Sequence, residues 1–159
     1  MDRILLILSS TRTSRDLVAQ ALDEAGRTGS ELVAVYIVDT GATDEIRQQV
    51  KNAGFLGKAP SADFISAVRS EHERQGRCEL ERIERAAGGR GIAMRARVLV
   101  GDFLTRSLEA AEEASARTIF VARSERTRFS RIVDGSPVNE LRSSAPCHVI
   151  VHGENGNGE

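Results

Sequence analysis

The sequence predicts an α/β domain built on one doubly wound, five-stranded parallel sheet with helices on both faces. Short apolar runs at Arg3–Leu8, Leu32–Val38, Ile119–Ala122 and Cys147–Val151 are too brief to be buried helices and read as strands covered on both sides. Stretches with helical spacing separate them, as parallel pairing requires, because each crossover takes about a dozen residues or more. A fifth run, from Ile92 to Val100, alternates apolar and polar residues. No repeat or linker divides the 159 residues, a length at which one domain buries most of its apolar surface.

The first strand ends in a dense set of hydroxyls: Ser9, Ser10, Thr11, Thr13 and Ser14. They are suited to capping the next helix, since any of them could accept a hydrogen bond from a helix N-terminus. Leu17, Val18, Ala21, Leu22 and Ala25 then recur at helical spacing, and Gly26 and Gly29 end the pattern. The second strand, Leu32–Val38, is terminated by Asp39, Thr40 and Gly41.

Residues 43–90 form a long helical crossover. A helical piece spans Asp44–Ala53, an apolar tip carries Phe55 and Leu56, and Pro60 and Asp63 mark a second helix beginning at Ser61. The tip reads either as a lid packing its own hydrophobes onto the domain, or as a docking site or a cover over the ligand cleft. The second helix has a sparse stripe of Phe64, Ile65, Val68, Cys78, Leu80 and Ile83, with Gly76 placed to weaken or bend its middle. It should lie over the sheet with its charged face in solvent.

Met94, Ala96, Val98 and Val100 alternate with Arg95, Arg97 and Leu99, the pattern of a half-exposed edge strand. Gly101-Asp102 breaks it. The following helix, Leu104 to Ala116, should turn Leu104, Leu108, Ala111 and Ala114 or Ser115 inward and Glu109, Glu112 and Glu113 outward. The polar, glycine-rich tail 153–159 is expected to be disordered.

Ligands of open α/β sheets sit outside the carboxyl ends of the strands, which directs attention to the loop after Ala122. There Arg123, Arg126, Arg128 and Arg131 outnumber Glu125, and Gly135-Ser136-Pro137 opens a short helix. A phosphate loop needs glycine so that backbone N–H groups approach the anion. Glu125 opposes an anion by repulsion of roughly 1 kcal/mol at about 4 Å in water, and Pro137 has no N–H to offer. The arginines read either as a solvated basic loop paired in part with Glu125 or as side-chain grips for phosphate.

This segment resembles the nucleotide-binding loop of the universal stress protein family, which carries Gly-x-x-Gly, nine residues, then Gly-Ser or Gly-Thr before a helix. That spacing puts Ala122 and Glu125 at the first two glycine positions and keeps Gly135 and Ser136. The likeness extends to the strand ILLIL ending in small polar residues, to LVAVYIVD, to Gly101-Asp102 and to Ala145-Pro146-Cys147. It implies a Rossmann-like sheet of order 3-2-1-4-5 over residues 1–152, with the Met94 strand at an edge as its patterning also requires.

It further implies a site for ATP or AMP, weak here. Ser9 would stand where the family commonly has an aspartate toward base or ribose, Ile37 near the adenine, and Ala122, Arg123, Glu125, Arg126, Gly135 and Ser136 toward the phosphates. The last strand, Cys147 to His152, would pair across a two-fold axis in a homodimer. The function so implied is that of a non-enzymatic stress-response or regulatory module with a degenerate nucleotide loop. The alternatives are an ATP- or AMP-binding switch or slow ATPase that relies on the loop arginines, and a soluble regulatory partner of a transporter or signalling protein.

A net charge of -1 does not suit a general nucleic-acid or anionic-membrane binder. No apolar run approaches the roughly 20 residues of a membrane span, and Met1-Asp2-Arg3 leads into a strand without a signal-peptide pattern, so a cytoplasmic location is expected. The two cysteines read as free thiols, Cys147 buried and inert and Cys78 open to oxidation. His148 and His152 share a strand face without a third metal ligand nearby, and no Ser/His/Asp or paired-carboxylate spacing points to a catalytic residue or a metal.

Overall fold

A computed structural model describes residues 1–40, 62–123 and 137–153. Its strands are β1 (Arg3–Ser9), β2 (Glu31–Asp39), β3 (Met94–Gly101), β4 (Thr118–Ala122) and β5 (His148–His152). Every neighbouring pair runs parallel, and the order is β3-β2-β1-β4-β5, as expected. The described helices are α1 (Arg15–Thr28), α2 (Ala62–Gly89), α3 (Phe103–Ala114) and α4 (Pro137–Ser144). The helical piece at Asp44–Ala53, the Phe55-Leu56 tip, Glu125, Arg126, Gly135, Ser136 and residues 154–159 lie outside the described residues.

Alternation along the strands divides the core in two. On one face Ile4, Leu6 and Leu8 of β1 and Ala34, Tyr36 and Val38 of β2 pack against Leu17, Ala21 and Leu22 of α1 and Leu80, Ile83 and Ala87 of α2. On the other, Leu5, Ile7, Val35, Ile37, Ile119 and Val121 meet Phe103, Ala110 and Ala111 of α3 and Val138 and Leu141 of α4. Burial on both faces explains why β1, β2 and β4 appear in the sequence as unbroken apolar runs. The edge strand β3 packs Met94, Ala96, Val98 and Val100 inward, while exposed Arg95 and Arg97 pair with Glu31 at 3.0 Å and Glu113 at 2.9 Å.

Several boundaries move for local reasons. Helix α1 runs through Gly26 and stops at Gly29, whose φ of 69° only glycine adopts cheaply and whose N–H caps the Ala25 carbonyl. Helix α2 is unbroken, and Gly76 is buried within it because an added Cβ would meet the Tyr36 ring. Phe64, 45% exposed, and Cys78 leave the stripe assigned to them, which α2 fills with Ile65, Gly76, Leu80, Ile83 and Ala87. Helix α3 starts one residue earlier than expected because Asp102 caps it, accepting from the Thr105 N–H at 2.9 Å. Its buried stripe is Phe103, Ser107, Ala110, Ala111 and Ala114; Leu104 and Leu108 are only partly covered, and Ser115 is the exposed left-handed cap. Cys147 precedes β5 and is half-buried rather than buried, although burial still raises its thiol pKa.

Candidate functional site

Strands β1 and β4 are neighbours, in register from Ile4 beside Thr118 to Ile7 beside Val121. From β1 the chain crosses through α1 to β2 on one side; from β4 it crosses through α4 to β5 on the other. Their carboxyl ends therefore diverge, and this divergence is where a doubly wound sheet forms its ligand crevice.

The β1 side of the crevice is shaped by a tight turn. The Ser9 N–H donates to the Arg12 carbonyl at 3.3 Å and the Arg12 N–H to the Ser9 carbonyl at 3.1 Å. Ser9 is buried beside Ile37 at the end of β2. Chain reversal brings Arg12 back against the strand ends, only 5% exposed. Its guanidinium lies 4.4 Å from the centre of the Phe103 ring at the start of α3, and Nη1 donates to the Ala122 carbonyl at 3.1 Å. One side chain thus spans from the β1 turn to the last residue of β4. Burial lowers the Arg12 pKa to about 10, Asp39 at the end of β2 pulls it upward, and Arg123 pushes it downward. At neutral pH it is a buried cation held by a ring face, a carbonyl and a nearby carboxylate.

The β4 side is fixed by Arg123. Its N–H donates to the His152 carbonyl at 3.0 Å, and Nη2 donates to Asn139 Oδ1 in the first turn of α4 at 3.3 Å. On the α1 face a polar cavity of about 300 Å³ opens between the hydroxyl-bearing Ser10, Thr11, Thr13 and Ser14 and the Ala122-Arg123 exit. Ser14 caps α1, accepting from the Leu17 N–H at 3.2 Å, so at least one of these hydroxyls has a structural task.

Of the residues marked from sequence, Ser9, Ala122 and Arg123 come together at the crevice, and Ile37 lies fully buried beneath it in the α3-side core. Arg12, Phe103 and Asp39 were not marked. The available signal was one arginine in the middle of a hydroxyl run, but its reach depends on the Ser9–Arg12 turn, which residue types alone do not specify. Among the described residues no cluster of His, Cys, Asp or Glu could hold a metal ion. On the α3 side the Arg12 side chain lies between the ends of β1 and β4, over the Phe103 ring.

The fold is an open, doubly wound α/β domain with a crevice at its switch point. The family model of the universal stress proteins matches residues 1–152, and the chain belongs to that family. Among curated proteins, none matches the chain significantly. Among solved structures it is similar to the universal stress protein UspA of Lactobacillus plantarum, with 17% identity, 94% of this chain and 96% of that one covered, and a TM-score of 0.69. It is also similar to a universal stress protein family member of Burkholderia pseudomallei, with 23% identity, 94% of each chain covered and a TM-score of 0.66. A family member of Arabidopsis thaliana, solved with AMP bound, matches at 10% identity over 95% of this chain and 90% of that one, with a TM-score of 0.59.

Proposed function

We propose that this protein is a non-enzymatic regulatory module of the universal stress type, responding through a weakened adenine-nucleotide site at the switch-point crevice. Support for the ligand class comes from the family frame over residues 1–152 and from the AMP-bound relative. The observation that carries the weakening is Ser9: it is buried at the end of β1, where the family resemblance expects a carboxylate, and offers only a hydroxyl. A hydrogen bond to a charged group contributes about 1.5–3 kcal/mol, so its replacement by a neutral one costs roughly tenfold or more in affinity. Ala122, at the first glycine position, already has its carbonyl occupied by Arg12.

The test is calorimetric titration of nucleotide-stripped protein with MgATP and then AMP. The expected result is dissociation at about 0.1 mM or weaker, with Glu125→Gly tighter than the parent. Silence from both forms up to millimolar ligand would remove the nucleotide reading, whereas submicromolar binding would favour a switch that uses the loop arginines. The same reading places a homodimer contact on β5, an edge strand of the sheet, because edge pairing covers unpaired backbone groups. Light scattering showing a monomer at micromolar concentration would count against that contact.

A further inference from the structure

We propose that Arg12 is a built-in occupant of the crevice, which a nucleoside must displace in order to bind. The inference rests on the reading of the crevice as an adenine-nucleotide site, and adds the residue that controls entry to it. The guanidinium is planar, lies over Phe103 with its centre 4.4 Å from the ring centroid, and belongs to a residue only 5% exposed. Such a plane over an aromatic face occupies the kind of slot a nucleobase would take by stacking. Its bond to the Ala122 carbonyl ties the two diverging strands across the switch point.

The tether is strong enough to compete with a ligand and weak enough to release. A buried cation is costly unless well compensated. Here the compensation is one ring face, one carbonyl and Asp39 nearby, with Arg123 repelling it from the β4 side. The Ser9–Arg12 turn lies at the surface end of β1, with Ser10 and Thr13 exposed on either side of Arg12, so the side chain has a short route into water. Displacement frees the Phe103 face and the Ala122 carbonyl together. It also delivers a guanidinium to the crevice mouth beside Arg123, which favours nucleotides over nucleosides once the plug is out.

The experiment compares wild type, Arg12→Ala and Arg12→Met by titration with adenosine and AMP. Arg12→Met keeps an apolar stem over Phe103 and so guards against loss of folding, which thermal unfolding would report. Adenosine should bind Arg12→Ala at least about tenfold more tightly than wild type, and Arg12→Met, whose stem still covers part of the ring, more tightly by a smaller margin. In wild type saturated with AMP, the Arg12 side-chain protons, shifted by the Phe103 ring in the free protein, should move toward solvent values in the NMR spectrum. Wild-type binding that neither substitution improves, or Arg12 resonances still ring-shifted in the saturated complex, would overturn the plug while leaving the nucleotide reading intact. Absence of binding by all three proteins at millimolar ligand would overturn both.

Discussion

Replacing Gly76 by alanine sets two effects of opposite sign against each other. Alanine is favoured over glycine in a helix interior by about 1 kcal/mol. A Cβ at position 76, however, would stand 2.5, 2.8 and 3.0 Å from three ring carbons of Tyr36, where carbon atoms ordinarily approach no nearer than about 3.5 Å. Tyr36 is 2% exposed in the interior of β2, and the atoms met are the rigid ring rather than a flexible end. Relief therefore means lifting α2 by roughly 1 Å from β2 and β3. That movement would also loosen Leu80, Ile83 and Ala87, which anchor the helix C-terminal to Gly76.

Overpacking of a filled core costs about 1–3 kcal/mol, and the long rigid lever of α2 puts this site at the upper end. The net expectation for Gly76→Ala is about 1–2 kcal/mol of destabilisation after the helix-propensity gain. At this chain length each kcal/mol lowers Tm by about 2–4 °C, so a fall of about 2–8 °C is expected. Far-UV circular dichroism melts of the parent, Gly76→Ala and the double variant Gly76→Ala/Tyr36→Leu would read it. The smaller side chain at 36 should make the alanine less harmful, giving a favourable coupling in the cycle. A Gly76→Ala protein as stable as the parent, or more so, would refute the close packing of α2 on Tyr36.

Gly29→Ala tests backbone strain free of packing, since no atom lies within 4 Å of the added Cβ while φ is 69°. Left-handed backbone costs an L-residue about 1–2 kcal/mol, so chemical denaturation should show a loss of that order without a changed m-value. Glu31 accepts from Arg3 and Arg95, both at 3.0 Å. Burial pushes its carboxyl pKa upward, but the Arg3 hydrogen bond and the Arg95 charge outweigh burial and leave the value lowered. Because the folded value is the lower one, the stabilisation is present above the unfolded carboxylate range and disappears as pH falls through the folded value. Glu31→Gln should therefore cost roughly 1 kcal/mol near neutrality and flatten the acid limb of the pH–stability curve; an unchanged limb would remove Glu31 from the acid response.

The frame was legible because its physics is local or periodic. Two-sided burial wrote β1, β2 and β4 as continuous apolar runs, and one-sided burial wrote β3 as an alternation with Arg95 and Arg97 outside. What failed was long-range. Gly76 looked like a weak point of α2 because propensity counts only the helix itself, while its actual reason is a ring on β2 forty residues earlier in the chain. Phe103 was left out of the α3 stripe because a helix expected from Leu104 excludes it, whereas Asp102 caps the helix and makes Phe103 its first residue.

The crevice shows the same division. Motif spacing drew attention to the β4 loop, where Ala122 and Glu125 replace glycines. Yet at the described end of β4 the defining contact comes from the other strand: Arg12, following β1, reaches the Ala122 carbonyl and the Phe103 face. A glycine at 122 would leave that carbonyl where it is, so restoring the motif there would not clear the guanidinium. Recovery of binding by substitution in the β4 loop and recovery by substitution of Arg12 are therefore separable, and a double variant should gain nearly the sum of the two free energies if loop and plug act independently. A gain far short of the sum would mean that the loop acts by holding Arg12 in place, and loop and guanidinium would then be one device.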